Sequence, residues 1–317
     1  MLKNLDDDVV SVMPAVHQRL NALVEAARRK IQGRPGAVGV VYPCNVPAIE
    51  AAAAIAEAGI GRPLLIGPCS LIERAADDAR IPIQLFEIFN VSGSASEAAR
   101  MAALLARDGS VESLMKGSLH TDELMGAVVR RENGLRGERR ISHAFIFDLP
   151  RYSKLLAVAD CVVNIAPDVE TKKDILGNSI ELLQKLGVSH PKVGIVAAVE
   201  MITPAIPATL HADALVRLAR AGQWPGALVE GPFGFDNAIS MEAARIKGIS
   251  SSVTGDADLL LVPDLNSGNM LYKSFNYIGG GDCAGLVLGA KVPIILTSRA
   301  DSKLARLASA ALSVLCA

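Results

Sequence analysis

Chemistry-bearing side chains concentrate in three short stretches of the chain. The last apolar run, Val292-Pro-Ile-Ile-Leu-Thr, leads into Ser298-Arg299-Ala-Asp301-Ser302. Ser298 stands where the cap of a following helix belongs, and a helix start carries unpaired N–H groups and the positive end of the dipole. Arg299 adds a planar cation that can grip phosphate with two hydrogen bonds, so the pair reads as a phosphate cradle. The same residues serve equally as a helix cap and a surface ion pair. A second stretch, Pro263-Asp264-Leu-Asn266-Ser-Gly268-Asn269, again leads from a strand into a helix. Asn266 and Asn269 offer neutral donors and Gly268 lets a ligand approach the backbone closely, although asparagine at a helix start also has a purely local capping use. The third stretch, Leu114-Met-Lys116-Gly117-Ser-Leu-His120-Thr121-Asp122, places Lys, Gly, His and Thr within six residues where a strand ends. Lys116 can neutralise a phosphate and His120 can act as a base or hold an anion. Thr121 can instead simply cap a helix with an acidic first turn.

Other polar residues carry less. His143 lies inside an apolar run and reads as a hydrogen-bonded core histidine. Glu230 and Asp236 follow another strand, where either can line a cleft or Asp236 can start a helix. Gly279-Gly-Gly281 matches neither the dinucleotide fingerprint nor the P-loop, so a nicotinamide or ATP site is not supported. The five cysteines, Cys44, Cys69, Cys161, Cys283 and Cys316, are scattered and never form a C-x-x-C pair. Neither a zinc site nor a disulfide framework is indicated. Cys283 reads as a buried small residue, since nothing beside it in sequence lowers a thiol pKa.

These stretches need elements to hold them. Apolar runs bounded by Gly or Pro alternate with segments of helical period, which predicts strands at Ala37–Tyr42, Pro63–Ile66, Gln84–Phe89 and Leu114–Met115. Helices are predicted between them at Val46–Ala58, Leu71–Ala79 and Ala95–Arg107. A basic, glycine-punctuated stretch, Arg130–Arg140, reads as a crossing between domains or as a solvated turn. Beyond it, strands are predicted at Ile141–Phe147, Cys161–Ile165, Lys192–Val199 and Ala227–Val229, with helices at Glu170–Leu186, Pro207–Ala221 and Asn237–Lys247. A last group comprises strands Leu259–Val262, Gly285–Leu288 and Ile294–Thr297, a helix from Asn266 to Tyr277, and a helix from Arg299 onward. This alternation predicts an α/β fold of parallel sheets flanked by helices, with ligands gathered in the loops after the strands.

Bulk composition bounds the reading further. At 317 residues the chain exceeds what one ordinary core serves, so two α/β domains are expected. Hydrophobic residues make up 50% of the chain and aromatics only 4%, so the core is built from Ala, Val, Leu and Ile, as suits strands buried under helices. The net charge of -1 provides no field to gather nucleic acid or anionic lipid. Any anion must be captured locally. Met1 to Val10 carries three consecutive aspartates rather than a signal-peptide pattern, and no apolar run is long enough to span a bilayer. A cytoplasmic location is therefore expected, with no membrane or nucleic-acid partner.

Three blocks in order, Leu114-Met-Lys-Gly-Ser-Leu-His-Thr-Asp122, Pro263-Asp-Leu-Asn-Ser-Gly-Asn-Met-Leu-Tyr-Lys273 and Leu296-Thr-Ser-Arg-Ala-Asp-Ser302, give the chain a resemblance along nearly its whole length. It resembles the phosphate acetyl/butyryltransferases. A fourth block, Glu230-Gly-Pro-Phe-Gly-Phe-Asp236, is similar to the family's Asp-Gly-Pro segment with Glu in place of Asp. The resemblance implies a two-domain α/β/α fold like that of isocitrate and isopropylmalate dehydrogenases. Residues 1–137 plus 291–317 would form the first domain and 138–290 an inserted second, with the active site in the cleft between them. It also implies a homodimer.

The reaction so implied is acyl-CoA plus phosphate to acyl phosphate plus CoA, with acetyl as the acyl group and butyryl as the alternative. Coenzyme A is a substrate, and no cofactor or metal is expected. The resemblance matches Ser298 and Arg299 to a Ser-Arg pair contacting the thiol and phosphate ends of the substrates. Two positions depart from the family pattern. An aspartate taken as the base lies seven residues beyond that serine in the acetyltransferase branch, where this chain has Ala305, leaving Asp301 and then His120 as substitutes. Related enzymes often have Leu-Arg where this chain has Leu124-Met125, so Arg130, Arg131 or Arg136 would have to replace a phosphate-binding arginine. Readings of other classes are a binding protein that keeps the CoA and phosphate cleft without turnover, and a decarboxylating dehydrogenase. The latter needs clustered aspartates and a nucleotide loop that the sequence does not display.

Overall fold

The structure, a computed structural model, describes residues 17–296 and 301–317. Helix α1 (Gln18–Ile31) comes first, followed by β1 (Ala37–Val41), α2 (Val46–Glu57), β2 (Arg62–Gly67), α3 (Cys69–Ala79), β3 (Glu87–Asn90), α4 (Ala95–Arg107), β4 (Ser113–Lys116) and α5 (Thr121–Val129). Then come β5 (Ser142–Asp148), β6 (Leu156–Ala159), α6 (Val169–Lys185), β7 (Lys192–Val196), α7 (Pro207–Arg220), β8 (Leu228–Phe233), α8 (Phe235–Ile239) and α9 (Met241–Ile246). The chain closes with β9 (Leu259–Leu261), α10 (Leu265–Tyr277), β10 (Asp282–Leu288), β11 (Ile294–Ile295) and α11 (Lys303–Cys316).

The strands form one sheet in the order β3-β2-β1-β4-β11-β10-β5-β6-β9-β7-β8. Both flanks are parallel, as the alternation with helices predicts, and β1 is buried at every position. The middle corrects that expectation. β10 runs antiparallel to β11 and β5, and β5 runs antiparallel to β6. For β5–β6 and β10–β11 the reason is connection length: the short links after β5 and β10 cannot hold the crossover helix that a parallel pair requires. Strand β11 joins β4 through two residue pairs, Ile294 with Leu114 and Ile295 with Met115, and meets β10 through one, Val287 with Ile294.

Several predicted boundaries move, each for a local reason. The strand expected at Cys161–Ile165 lies earlier, at Leu156–Ala159, because the Asp160 carboxylate accepts the N–H groups of Val162 and Val163 at 2.8 and 2.9 Å and turns the chain. The helix expected over Asn237–Lys247 is split at Ser240, whose hydroxyl caps α9 by accepting from the Ala243 N–H. Part of the strand expected at Gln84–Phe89 is a 3-10 turn, Ile83–Leu85, before β3 begins. Helix α1 was not anticipated; it buries Leu20, Leu23, Val24 and Ala27 and packs on α11. Its Lys30 ammonium is held by the carbonyls of Val314 and Leu315, both at 3.1 Å, the favourable site for a cation at a helix C-terminus.

Aliphatic residues and alanines fill the space between sheet and helices, as the low aromatic content implies. One cluster of aromatics lies on one face near the middle. Phe145 and Phe147 project from β5 toward Tyr272 and Phe275 of α10, with the rings of Phe145 and Tyr272 stacked at 4.3 Å and 6°. This packing seats α10 over β5, β6 and β10.

Candidate active site

Strand β4 ends at Lys116, and the next turn is braced on β1. The Gly117 and Ser118 N–H groups donate to the carbonyls of Val41 and Tyr42, both at 2.9 Å. A Cβ at Gly117 would lie 2.4 Å from the Val41 oxygen, so only glycine permits this approach. The turn carries the chain into α5, whose cap position is His120 rather than Thr121. There the His120 N–H donates to the Glu123 carboxylate at 2.9 Å, and Thr121 is the first helical residue.

Helix α10 is started by Asp264, whose carboxylate accepts from the Ser267 N–H at 2.9 Å and from its hydroxyl at 2.6 Å. Hydrogen bonding to Ser267 holds the Asp264 carboxyl below its usual range. At Gly268 the close neighbour is the chain itself, since a Cβ there would lie 2.6 Å from the Asp160 carbonyl. Its role in the fold is thus to let α10 settle on the loop after β6. One residue on, the Asn269 amide reaches the Cys161 carbonyl at 3.5 Å.

A cleft of about 350 Å³ opens where these elements meet. Its polar lining is Lys116, Thr121, Asn269, Lys273 and Asp301. Its apolar lining is Phe145, Val162 and Leu296, with Tyr272 and His143 between the two. Four residues singled out from sequence, Lys116, Thr121, Asn269 and Asp301, therefore come together from all three blocks. The Tyr272 hydroxyl donates to Asp301 at 3.3 Å, and burial together with Asp301 pushes the phenol pKa up, so it stays a donor. Lys116 is tethered to the carbonyls of Gly117 and Leu119 at 3.3 and 3.1 Å, which fixes its ammonium beside the turn.

Other expectations fall elsewhere. His120 is exposed and does not line the cleft, and Asn266 is exposed on the first turn of α10. Ser298 and Arg299 lie outside the described residues. The expected helix start at Arg299 is corrected, for α11 begins at Lys303 with Ser302 as its cap. The Ser302 hydroxyl accepts the Ala305 N–H at 2.9 Å and donates to Asp282 at 2.6 Å, which ties the helix to the start of β10. Ala305 itself is buried. Arg130, Arg131 and Arg136 do not line the cleft, and Arg130 faces Glu132 at 3.7 Å. Neither Glu230 nor Asp236 lines it; Asp236 is bound by Lys247 at 3.0 Å.

Sequence reasoning missed Lys273, Tyr272 and the apolar wall. Lys273 and Tyr272 follow Asn269 by four and three residues, the spacing that puts side chains on one helix face, and that periodicity was the available signal. His143 is a core histidine as expected, but its ring has no hydrogen-bond partner. The cysteines are all free, and burial pushes the Cys44 thiol up to about 11 and that of Cys283 higher still. No thiol described here is poised as a thiolate. Among the described residues, no group of three or more His, Cys, Asp or Glu side chains is placed to hold a metal ion, and no helix is long and apolar enough to cross a membrane.

Comparison with known proteins defines the class. The family described as phosphate acetyl/butaryl transferase matches residues 92–314, and the chain belongs to that family. A phosphate acetyltransferase of Rhizobium meliloti is 46% identical over 302 residues, covering 95% of this chain and 94% of the relative. A probable phosphate butyryltransferase of Bacillus subtilis (strain 168) is 42% identical over 218 residues, covering 69% of this chain and 73% of the relative. Among solved structures, a branched-chain phosphotransacylase from Enterococcus faecalis V583 superposes with a TM-score of 0.78 at 28% identity, covering 88% of this chain and 98% of that one.

Proposed function

We propose that this chain is a phosphate acetyltransferase, converting acetyl-CoA and phosphate to acetyl phosphate and CoA, with butyryl-CoA as the alternative acyl donor. The observation that carries this reading is the convergence of Lys116, Thr121, Asn269 and Asp301 on one cleft, in a chain whose similarity to an acetyltransferase extends over 95% of its length. The butyryltransferase match covers less of the chain at lower identity, which supports acetyl over butyryl.

The chemistry needs charge management more than covalent help. In one direction the CoA thiol, with a pKa near 8.5 or above, must ionise before it attacks acetyl phosphate; in the other, phosphate attacks the thioester carbonyl. We assign Lys116 and Lys273 to the phosphate dianion, with Arg299 and Ser298 completing the cradle from the adjoining segment. Asp301 takes the thiol proton in this scheme, and its place in the cleft favours it over the exposed His120. Gly117 and Gly268 shape the site through the backbone, and Thr121, Asn269 and Asn266 supply neutral hydrogen bonds to the substrates. The reaction moves no electrons between redox states and coenzyme A is a substrate, so no redox cofactor is invoked.

The domain proposal is that residues 1–137 plus 291–317 and residues 138–290 close on the substrates as two bodies, in a cytoplasmic homodimer. Thiol release from acetyl-CoA and butyryl-CoA with phosphate or arsenate tests the activity. Release that is unaffected by chelator and by omission of nicotinamide is expected. Folded protein that releases no thiol from any short-chain acyl-CoA would refute the reading, and binding of CoA without turnover would identify a binding protein instead.

A further inference from the structure

The acyl-transfer reading leaves one buried group without a use. His143 is the second residue of β5, on the same face as Phe145 and Phe147, and it is 0% exposed. Its ring stands edge-on to Phe145 at 4.4 Å and 66°, and neither ring nitrogen has a hydrogen-bond partner. The nearby Asp160 carboxylate accepts from the main-chain N–H of His143 at 3.2 Å, not from the ring. Room for the imidazole comes from Gly285 on β10, where a Cβ would lie 3.0 Å from Nε2. A buried polar side chain with both nitrogens unsatisfied is a standing cost, and an apolar residue of similar volume would avoid it. His143 is also one of the residues that line the cleft, together with Lys116 and the apolar side chains Phe145, Val162 and Leu296, so a substrate seated there would meet the ring at the inner wall.

Burial lowers the His143 pKa to about 3, so at neutral pH the ring is uncharged, with one N–H donor and one acceptor nitrogen. A neutral donor at an apolar wall does not select the phosphate dianion, which Lys116 and Lys273 serve. At the reacting end of an acyl-CoA or an acyl phosphate, the uncharged acceptor beside the alkyl group is the acyl carbonyl oxygen.

We infer that His143 is a catalytic residue whose ring N–H donates a hydrogen bond to the acyl carbonyl oxygen, an inference that rests on the acyl-transfer reading of this cleft. As the thiolate sulfur or phosphate oxygen bonds to the carbonyl carbon, the π electron pair moves onto that oxygen, and the hydrogen bond from the ring N–H shortens against the developing charge. When the pair returns, the bond to the departing phosphate or thiolate breaks. The imidazole keeps its proton throughout and needs no co-reactant. A donor already held in a water-poor site does this without reorganising at the moment of reaction.

The test compares wild type with His143→Leu and His143→Gln by thiol release from acetyl-CoA and phosphate, with circular dichroism to establish folding. For His143→Leu, kcat should fall by about a hundredfold, as for loss of an oxyanion donor, with KM for phosphate within about twofold of wild type. His143→Gln, which keeps an N–H donor, should recover kcat at least about tenfold over the Leu variant. A Leu variant with wild-type kcat, or a loss that Gln does not recover, overturns the inference. Should the Leu variant not fold, His143→Met against His143→Gln makes the same comparison. Wild-type protein without acyl transfer would instead overturn the reading on which the inference rests.

Discussion

At the scale of single residues, the proposed mechanism depends on where cations and one carboxylate sit relative to a developing oxyanion. Arg299→Ala is expected to reduce acyl transfer by about a hundredfold or more while leaving the fold intact, because a positioned charge acts most strongly in the transition state. Circular dichroism beside the thiol assay checks both halves, and near-wild-type activity would remove the residue from the mechanism. Asp301→Asn and His120→Ala separate the two proposed bases. Asp301→Asn should abolish the pH limb set by thiol ionisation, and His120→Ala should leave that limb in place. The reverse pattern in kcat against pH would reassign the base. His143 also makes a stability prediction that needs no substrate. Its folded pKa, about 3, lies below its ordinary value of 6.5, so the unfolded chain binds more protons between those limits and stability is lost as pH falls through the window. His143→Phe should flatten the urea-unfolding free energy over that window by up to about 1.4 kcal/mol per pH unit. An unchanged slope would mean the wild-type imidazole is protonated in the folded protein.

At the scale of elements, short side-chain caps decide where the blocks begin. Ser302→Ala removes the acceptor for the Ala305 N–H and the donor to Asp282, and should lower stability by about 1 kcal/mol in chemical denaturation, with activity falling further if α11 carries Asp301 out of place. Unaltered stability would show that the cap is not holding the helix. The same caps explain what the sequence disclosed. Strands such as β1 and helices such as α4 were legible because their periodicity was strong and their ends were marked by Gly or by Ser94. The turn at Asp160 was not legible, since a carboxylate that gathers the N–H groups of the following residues looks, in sequence, like one polar residue before an apolar run. The site was half legible for a related reason. Lys116 ends a strand beside a polar turn and Asp301 stands just before α11, while Tyr272 and Lys273 sit mid-helix and His143 within an apolar strand, where only packing shows which cavity they face.

At the scale of the molecule, eleven strands among the described residues form one sheet, but its two flanks are joined unequally. β10 and β5 share seven residue pairs, whereas β11 meets β4 through two and β10 through one. The covalent crossings run side by side there, with the Gly137 N–H on the Gly289 carbonyl at 3.1 Å and Arg136 bridged to Ala290. If the two proposed bodies close on substrate, peptides spanning residues 288–296 should gain protection from amide exchange on adding CoA and phosphate, while β1 and β2 should not change. Equal protection everywhere, or none at 288–296, would argue against closure along this line. In mechanical terms, a wide sheet with one narrow ladder has its bending compliance set by that ladder. If the two proposed bodies close along this line, Ile294 and Ile295 would set how readily the molecule flexes, and substitutions there should alter the rates of substrate entry and product release more than the chemistry.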